Sequence, residues 1–90
     1  MTLERVLYAL SDPTRMKIVK YLAQNREQPC AMCYEQRSKS AMSHHFKVLR
    51  EAGLLLTRPE GTSALNSLRY EDLEARFPGL LDAVLRAAES

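Results

Sequence analysis

Cysteine is scarce in this 90-residue sequence, and long apolar runs are missing altogether. Two cysteines do not make a disulfide framework, and they exclude a four-cysteine zinc site within one chain. No apolar stretch approaches the roughly 20 residues that a bilayer-crossing helix needs. The first residues, Met1-Thr2-Leu3-Glu4-Arg5, lack a basic region followed by an apolar core. No secretory signal is expected, and the sequence reads as cytoplasmic, with no membrane partner. Internal repeats and low-complexity segments are also missing. The length leaves room for one small domain over residues 1–90 and none for a separate catalytic unit. What is there is 46% hydrophobic and 27% charged, ordinary proportions for a globular protein. So small a chain has a modest core and often gains stability by oligomerising.

Acid is nearly missing from the middle of the chain. Residues 1–36 carry five basic and four acidic groups, a balance of +1. Residues 37–58 carry Arg37, Lys39, Lys47, Arg50 and Arg58 against Glu51 alone, a balance of +4. Residues 59–90 carry three basic and six acidic groups, a balance of −3, which closes the total at +2. A basic centre beside an acidic tail points to one face that meets an anion and another that does not. A plain solvated surface would also be charged, so the arrangement of the segment decides.

Leu3, Val6, Leu7 and Leu10 recur at i, i+3, i+4 and i+7, which predicts a helix over 3–10. Ser11 or Asp12 suits an N-cap, and Pro13 suits the first position of a second helix over 13–23. Met16, Ile18, Val19, Tyr21 and Leu22 form its apolar face. Residues 24–29 read as a polar loop, and residues 30–36 as a short third helix. Ser38 can cap a fourth helix, Lys39 to Ala52, which Gly53 ends in the left-handed conformation that glycine favours. The period then changes. Residues 54–58 and 63–68 read as two strands around a turn, Pro59-Glu60-Gly61-Thr62. A helical stretch, Glu71 to Phe77, follows. The last helix, Pro78 to Ala88, carries Leu80, Leu81, Val84, Leu85 and Ala88. The fold class is mainly α with a small β-hairpin, in the core order α-α-α-α-β-β-α. Two short helices feeding a capped helix and then a hairpin make a winged helix-turn-helix. The apolar first and last helices are surplus to that core, and antiparallel pairing with a second chain would bury them.

On the helix 39–52, Met42, Phe46 and Leu49 form a core stripe at i, i+4 and i+7. The opposite face holds Ser40, Ser43, His44 and Lys47. Lys39 stands at its start and Arg50 toward its end. Short side chains let a helix settle into the major groove, where Ser, His and Lys bond base edges or phosphates. The helix N-terminus adds a partial positive charge that suits a phosphate. A merely solvated face usually mixes Glu with Lys, whereas here the first acid is Glu51. In the hairpin, Arg58 and residues 62–63 are placed to reach the sugar-phosphate backbone or minor groove. A charge at Arg58 also serves to blunt an edge strand. His45 neighbours the core stripe and reads as a packed histidine. The candidate DNA-binding residues are therefore Lys39, Ser40, Ser43, His44, Lys47, Arg50 and Arg58, and the expected partner is double-stranded DNA.

LSDPTRMKIVKYLA over 10–23, SKSAMSHHFKVLREAGLL over 38–55 and EGTSALNSLR over 60–69 resemble the ArsR-type family of bacterial winged-helix repressors. The resemblance spans nearly the whole chain. It implies a homodimer built on the first and last helices, a palindromic operator, and repression relieved by an effector, often a metal ion or metalloid. It also implies that Lys39 to Ala52 is the recognition helix. One family site places His and carboxylates on the last helix, but here that helix has Asp82 and Glu89 and no histidine. Another uses Cys-x-Cys with a third cysteine nearby. This chain has Cys30-Ala31-Met32-Cys33, a different spacing with one sulfur fewer.

Two thiols at i, i+3 share one helical face, just after Pro29. At a helix start a thiolate forms more readily. Three readings of Cys30 and Cys33 stay open. They are small buried residues, a soft-metal or metalloid site, or a thiol pair that senses oxidants or persulfide by closing a disulfide. No cofactor is required. Two other functions are weighed beside the repressor. A thiol oxidoreductase would place its CxxC after a strand in a βαβ unit, and no strand is expected before Cys30. A winged-helix module used only for protein contacts has no need for an acid-free helix face.

Overall fold

The computed structural model describes residues 1–24, 27–29 and 39–88, with 27–29, 39 and 63 described as backbone only. In chain order the described elements are α1 (Leu3–Leu10), α2 (Pro13–Gln24), β1 (Glu27–Pro29), α3 (Lys39–Ala52), β2 (Leu55–Glu60), β3 (Ser63–Leu68), α4 (Tyr70–Arg76) and α5 (Leu80–Ala88). The expected helix over 30–36 and the Ser38 cap lie outside the described residues, as do Cys30, Cys33 and Glu89.

Caps set the first two helices. Thr2 accepts a hydrogen bond from the Arg5 amide at 3.2 Å and starts α1. Of the two residues expected to cap α2, Asp12 does so, its Oδ2 accepting from the Arg15 amide at 3.0 Å. Each satisfies a backbone N–H that has no partner inside the helix. Asp12→Ala should lower stability by about 1 kcal/mol at pH 7. Burial raises the Asp12 pKa, but the hydrogen bond from the Arg15 amide, His45 in its protonated form and the Arg15 guanidinium outweigh it and hold the group below its usual 3.8. A carboxylate with a lowered folded-state pKa stabilises above its unfolded pKa and stops doing so as pH falls through the folded one. The gap between wild type and Asp12→Ala in thermal melts should therefore narrow only below about pH 4.

The end of α3 is a complete C-cap. The Gly53 amide donates to the Arg50 carbonyl at 3.0 Å, and the Leu54 amide to the Leu49 carbonyl at 3.0 Å. Gly53 has φ +91°. This is the Schellman pairing, in which the left-handed residue turns the chain and two orphan carbonyls are satisfied. Leu49 and Leu54, which flank it, are both fully buried. The cap therefore fixes where α3 stops and the hairpin begins.

β2 and β3 form the expected hairpin, but with a tighter turn. Glu60 pairs with Ser63, so Gly61 and Thr62 alone make the loop. Gly61 has φ +61°, as the first position of a type II′ turn requires. Pro59, expected in the turn, is in β2 opposite Ala64. It is tolerated because β2 is an edge strand and the pair next to the closing one lacks ladder hydrogen bonds.

The polar loop expected at 24–29 is corrected: Glu27–Pro29 is a strand, paired antiparallel with β3 through Gln28 opposite Asn66. The sheet order is β1-β3-β2. A strand therefore does precede Cys30, contrary to expectation. It is a short antiparallel edge strand of the wing, not the parallel strand of a βαβ unit. The last helix starts at Leu80 and not at Pro78. Gly79, at φ +80°, is outside helical geometry, and its carbonyl accepts the first α5 hydrogen bond from Ala83.

One apolar cluster joins the elements. It includes Val6, Ala9 and Leu10 of α1, Ile18, Val19 and Leu22 of α2, Met42, Phe46 and Leu49 of α3, Leu54 and Leu55, Leu73 of α4 and Leu81 of α5. Asn66 is buried at the centre of the sheet and accepts from the Thr57 hydroxyl at 2.7 Å. A buried amide needs such a partner. Among the described residues no helix is long and apolar enough to cross a membrane.

Candidate nucleic-acid interface

The two faces of α3 separate as the spacing predicts. Met42, Phe46 and Leu49 are buried. Ser40, Ser43, His44, Lys47 and Arg50 are exposed. Lys39 is the first residue of the helix, and its side chain is not described. There is no acid in the first turn and a basic residue, Arg50, in the last. The outer face thus carries two hydroxyls, an imidazole and two cations, with Glu51 in the last turn, on a rod whose inner face is fixed by the core.

The wing stands beside that rod. Arg58 is exposed on β2, and its guanidinium donates to Glu60 at 2.7 Å. Both side chains are about half exposed or more, so the pair contributes at most about 1 kcal/mol and is easily exchanged for another anion. Thr62 is exposed at the tip. The pairing with Glu60 was not legible in advance, since it depends on i and i+2 sharing one face of an extended strand.

His45 is packed, as expected, and beside it lies Arg15, which is not among the residues expected on the apolar face of α2. Arg15 is 6% exposed. Its Nε donates to the Ala9 carbonyl at 2.7 Å and its Nη2 to the Tyr8 carbonyl at 3.3 Å. Those carbonyls are at the C-terminal end of α1, where a cation is favoured. The guanidinium also lies over the Tyr8 ring at 5.2 Å. Its Nη1 stands 3.2 Å from Nδ1 of His45 on α3. The signal was available: Arg15, Ile18, Val19 and Leu22 fall at i, i+3, i+4 and i+7, and all four are buried. Met16 and Tyr21, expected on that face, are only half-buried.

Among the described residues no group of three or more His, Cys, Asp or Glu side chains is placed to hold a metal ion. Cys30 and Cys33 lie outside those residues.

A helix-turn-helix domain model matches residues 10–58, just over half of the chain. The HTH-type transcriptional regulator YceK of Bacillus subtilis is 35% identical over 83 residues, covering 89% of this chain and 83% of its own length. The arsenical resistance operon repressor of Staphylococcus xylosus is 33% identical over 73 residues, covering 80% of this chain and 70% of its own. The chain belongs to the ArsR family. It is a winged helix-turn-helix, DNA-binding transcriptional regulator. Among solved structures, this ArsR-family chain is similar to Mb0332 of Mycobacterium bovis, with a TM-score of 0.74 and 28% identity over 91% of this chain and 76% of the other. That protein is described as a homodimeric winged helix-turn-helix DNA-binding domain. Each of these relatives is named for regulation or DNA binding, roles without catalysis.

Proposed function

We propose that the chain is one half of a homodimeric repressor that reads a palindromic DNA operator through Lys39, Ser40, Ser43, His44, Lys47, Arg50 and Arg58. The observation that carries this reading is the outer face of α3, which holds no acid before Glu51 in the last turn and is rigidly backed by Met42, Phe46 and Leu49. Two such helices would enter successive major grooves about one DNA turn apart. Dimerisation through α1 and α5 is supported by the apolar surface they leave uncovered. Leu3 and Leu7 are 40% and 46% exposed, and Leu80, Val84 and Leu85 are only half-buried. The homodimeric state of Mb0332 points the same way.

Release from the operator would come from chemistry at Cys30 and Cys33, by a soft metal or metalloid or by thiol oxidation. Two thiols three residues apart, directly before the recognition helix, support that placement. A titration of operator DNA with the reduced protein tests both parts. It is repeated after peroxide, persulfide, arsenite and zinc, with Cys30→Ser and Cys33→Ser alongside. At least one treatment should weaken binding of the wild type and spare the serine variants. Unchanged affinity under every treatment would remove the sensing role. Failure to recover any bound sequence from random DNA would favour a protein-contact module instead.

A further inference from the structure

Two histidines stand side by side on the recognition helix, and their surroundings differ. His44 is exposed on the outer face, while the His45 side chain is 15% exposed and turned toward α1 and α2. We propose that Arg15 is a positioning residue for DNA reading, tying the end of α1 to the recognition helix by donating to a neutral His45. The inference rests on α3 being the helix that meets DNA.

The geometry assigns the proton. A guanidinium can only donate, so Nδ1 of His45, 3.2 Å from Arg15 Nη1, must offer its lone pair. The ring proton is then on Nε2. Asp12 Oδ2 lies 3.8 Å from the same Nδ1, beyond hydrogen-bond length, and accepts instead from the Arg15 amide. The charged and titratable groups near His45 include Arg15 and Asp12 from α2 and its cap, with Tyr8 of α1 behind Arg15 and His44 beside it on α3, its ring centroid 5.9 Å away.

Arg15 uses the rest of its fork on α1. Two α1 carbonyls and one α3 imidazole are thus held by a single buried, planar cation. Rotation of α3 about its axis would break the bond to His45 and re-aim the face that carries Ser43, His44 and Lys47. α1 also carries Leu3 and Leu7, the surface assigned to the second subunit. One side chain therefore joins the dimer-forming helix to the DNA-reading helix. A lysine could not do the same, since it lacks the rigid fork that reaches three acceptors.

The test uses the full chain with its operator. Nitrogen chemical shifts of the wild-type histidines should show His45 neutral with the proton on Nε2 at pH 7.5. A protonated Nδ1 would overturn the inference without any variant. Asn puts its amide oxygen near the position of Nδ1, so His45→Asn should keep operator affinity within about threefold. His45→Phe keeps the volume but not the acceptor, and should lose about tenfold or more, as should Arg15→Lys. Both losses should occur with the dimer and the helical content intact. Wild-type affinity in His45→Phe and Arg15→Lys would overturn the inference while leaving the DNA-binding reading in place. A wild type that binds no DNA would instead remove the reading on which it rests, whatever the proton position.

Discussion

Lys47→Glu should abolish operator binding while leaving the fold and the dimer unchanged. Lys47 is exposed on the outer face of α3, one turn beyond Ser43 and His44. A cation there meets either a phosphate or a guanine edge. A phosphate contact adds about one unit of salt slope per half-site, and a good base contact is worth about 1–3 kcal/mol. A dimer carries the change twice. Two losses near 1.4 kcal/mol each already give about 100-fold weaker binding, before any repulsion between the new carboxylate and the backbone. Within the protein the change costs little: it sets a carboxylate at position 47 against Glu51 at i, i+4, a penalty of about 0.2–0.5 kcal/mol. Fluorescence anisotropy with operator DNA at several salt concentrations gives both quantities. The affinity should fall by at least about 100-fold and the salt slope should become shallower. Binding that stays tight, with the wild-type slope, would mean that α3 does not face the DNA in this register. Lys47→Gln separates the two causes, since it removes the contact without adding a negative charge and should lose less.

The contrast between α3 and the acidic C-terminal third supports the same placement. The basic stretch 37–58 covers α3 and most of β2, while the acids Glu71, Asp72, Glu74 and Asp82 fall on α4 and α5. Several of these acids have partners within the protein. Arg69 Nε donates to Asp72 at 3.0 Å, the Tyr70 hydroxyl to Asp82 at 2.7 Å, and the Gly79 amide to Glu74 at 3.1 Å. The acids there serve the α4–α5 turn and its flanks. They lie outside α3, whose own acid is Glu51 in the last turn.

Local chemistry made most of this architecture readable. α1 follows from four leucine and valine positions, and α3 from its two opposed stripes and Gly53. The parts that were missed depend on distant partners. Glu27–Pro29 has no strand signal of its own; it becomes a strand because β3, some 38 residues later, offers an open edge. Pro59 looked like a turn residue until the sheet order made β2 an edge. Arg15 was passed over because a charged side chain on an apolar stripe is read as an exception. Only the meeting of α1's carbonyls with His45 gives it enough acceptors to be buried. The candidate site was more legible than the fold at one point: exposure of Ser40, Ser43, His44 and Lys47 followed directly from helical spacing.

Phe46→Ala should be the most damaging single change to stability. Phe46 is 1% exposed and is among the largest fully buried side chains, set between Met42 and Leu49 on the inner stripe of α3. Removing a buried phenyl ring loses its transfer free energy and leaves a cavity, together about 3–5 kcal/mol. A domain of this size has about 5–10 kcal/mol in total, so the loss takes much of it. For 60–100 residues, each kcal/mol moves Tm by roughly 4–8 °C, so a drop of at least about 12 °C is expected. Thermal melts followed by circular dichroism measure it, at one fixed protein concentration because a dimer's Tm depends on concentration. Phe46→Leu should recover much of the loss, since it refills most of the cavity. A Tm within about 3 °C of wild type for Phe46→Ala would show that α3 is not anchored through this stripe. The DNA consequence separates this variant from Lys47→Glu. At a temperature where Phe46→Ala is still folded, its outer face is chemically intact, so its salt slope should match wild type even where its affinity is lower. The neighbouring positions 46 and 47 then report on opposite faces of one helix, the first through Tm and the second through the salt slope.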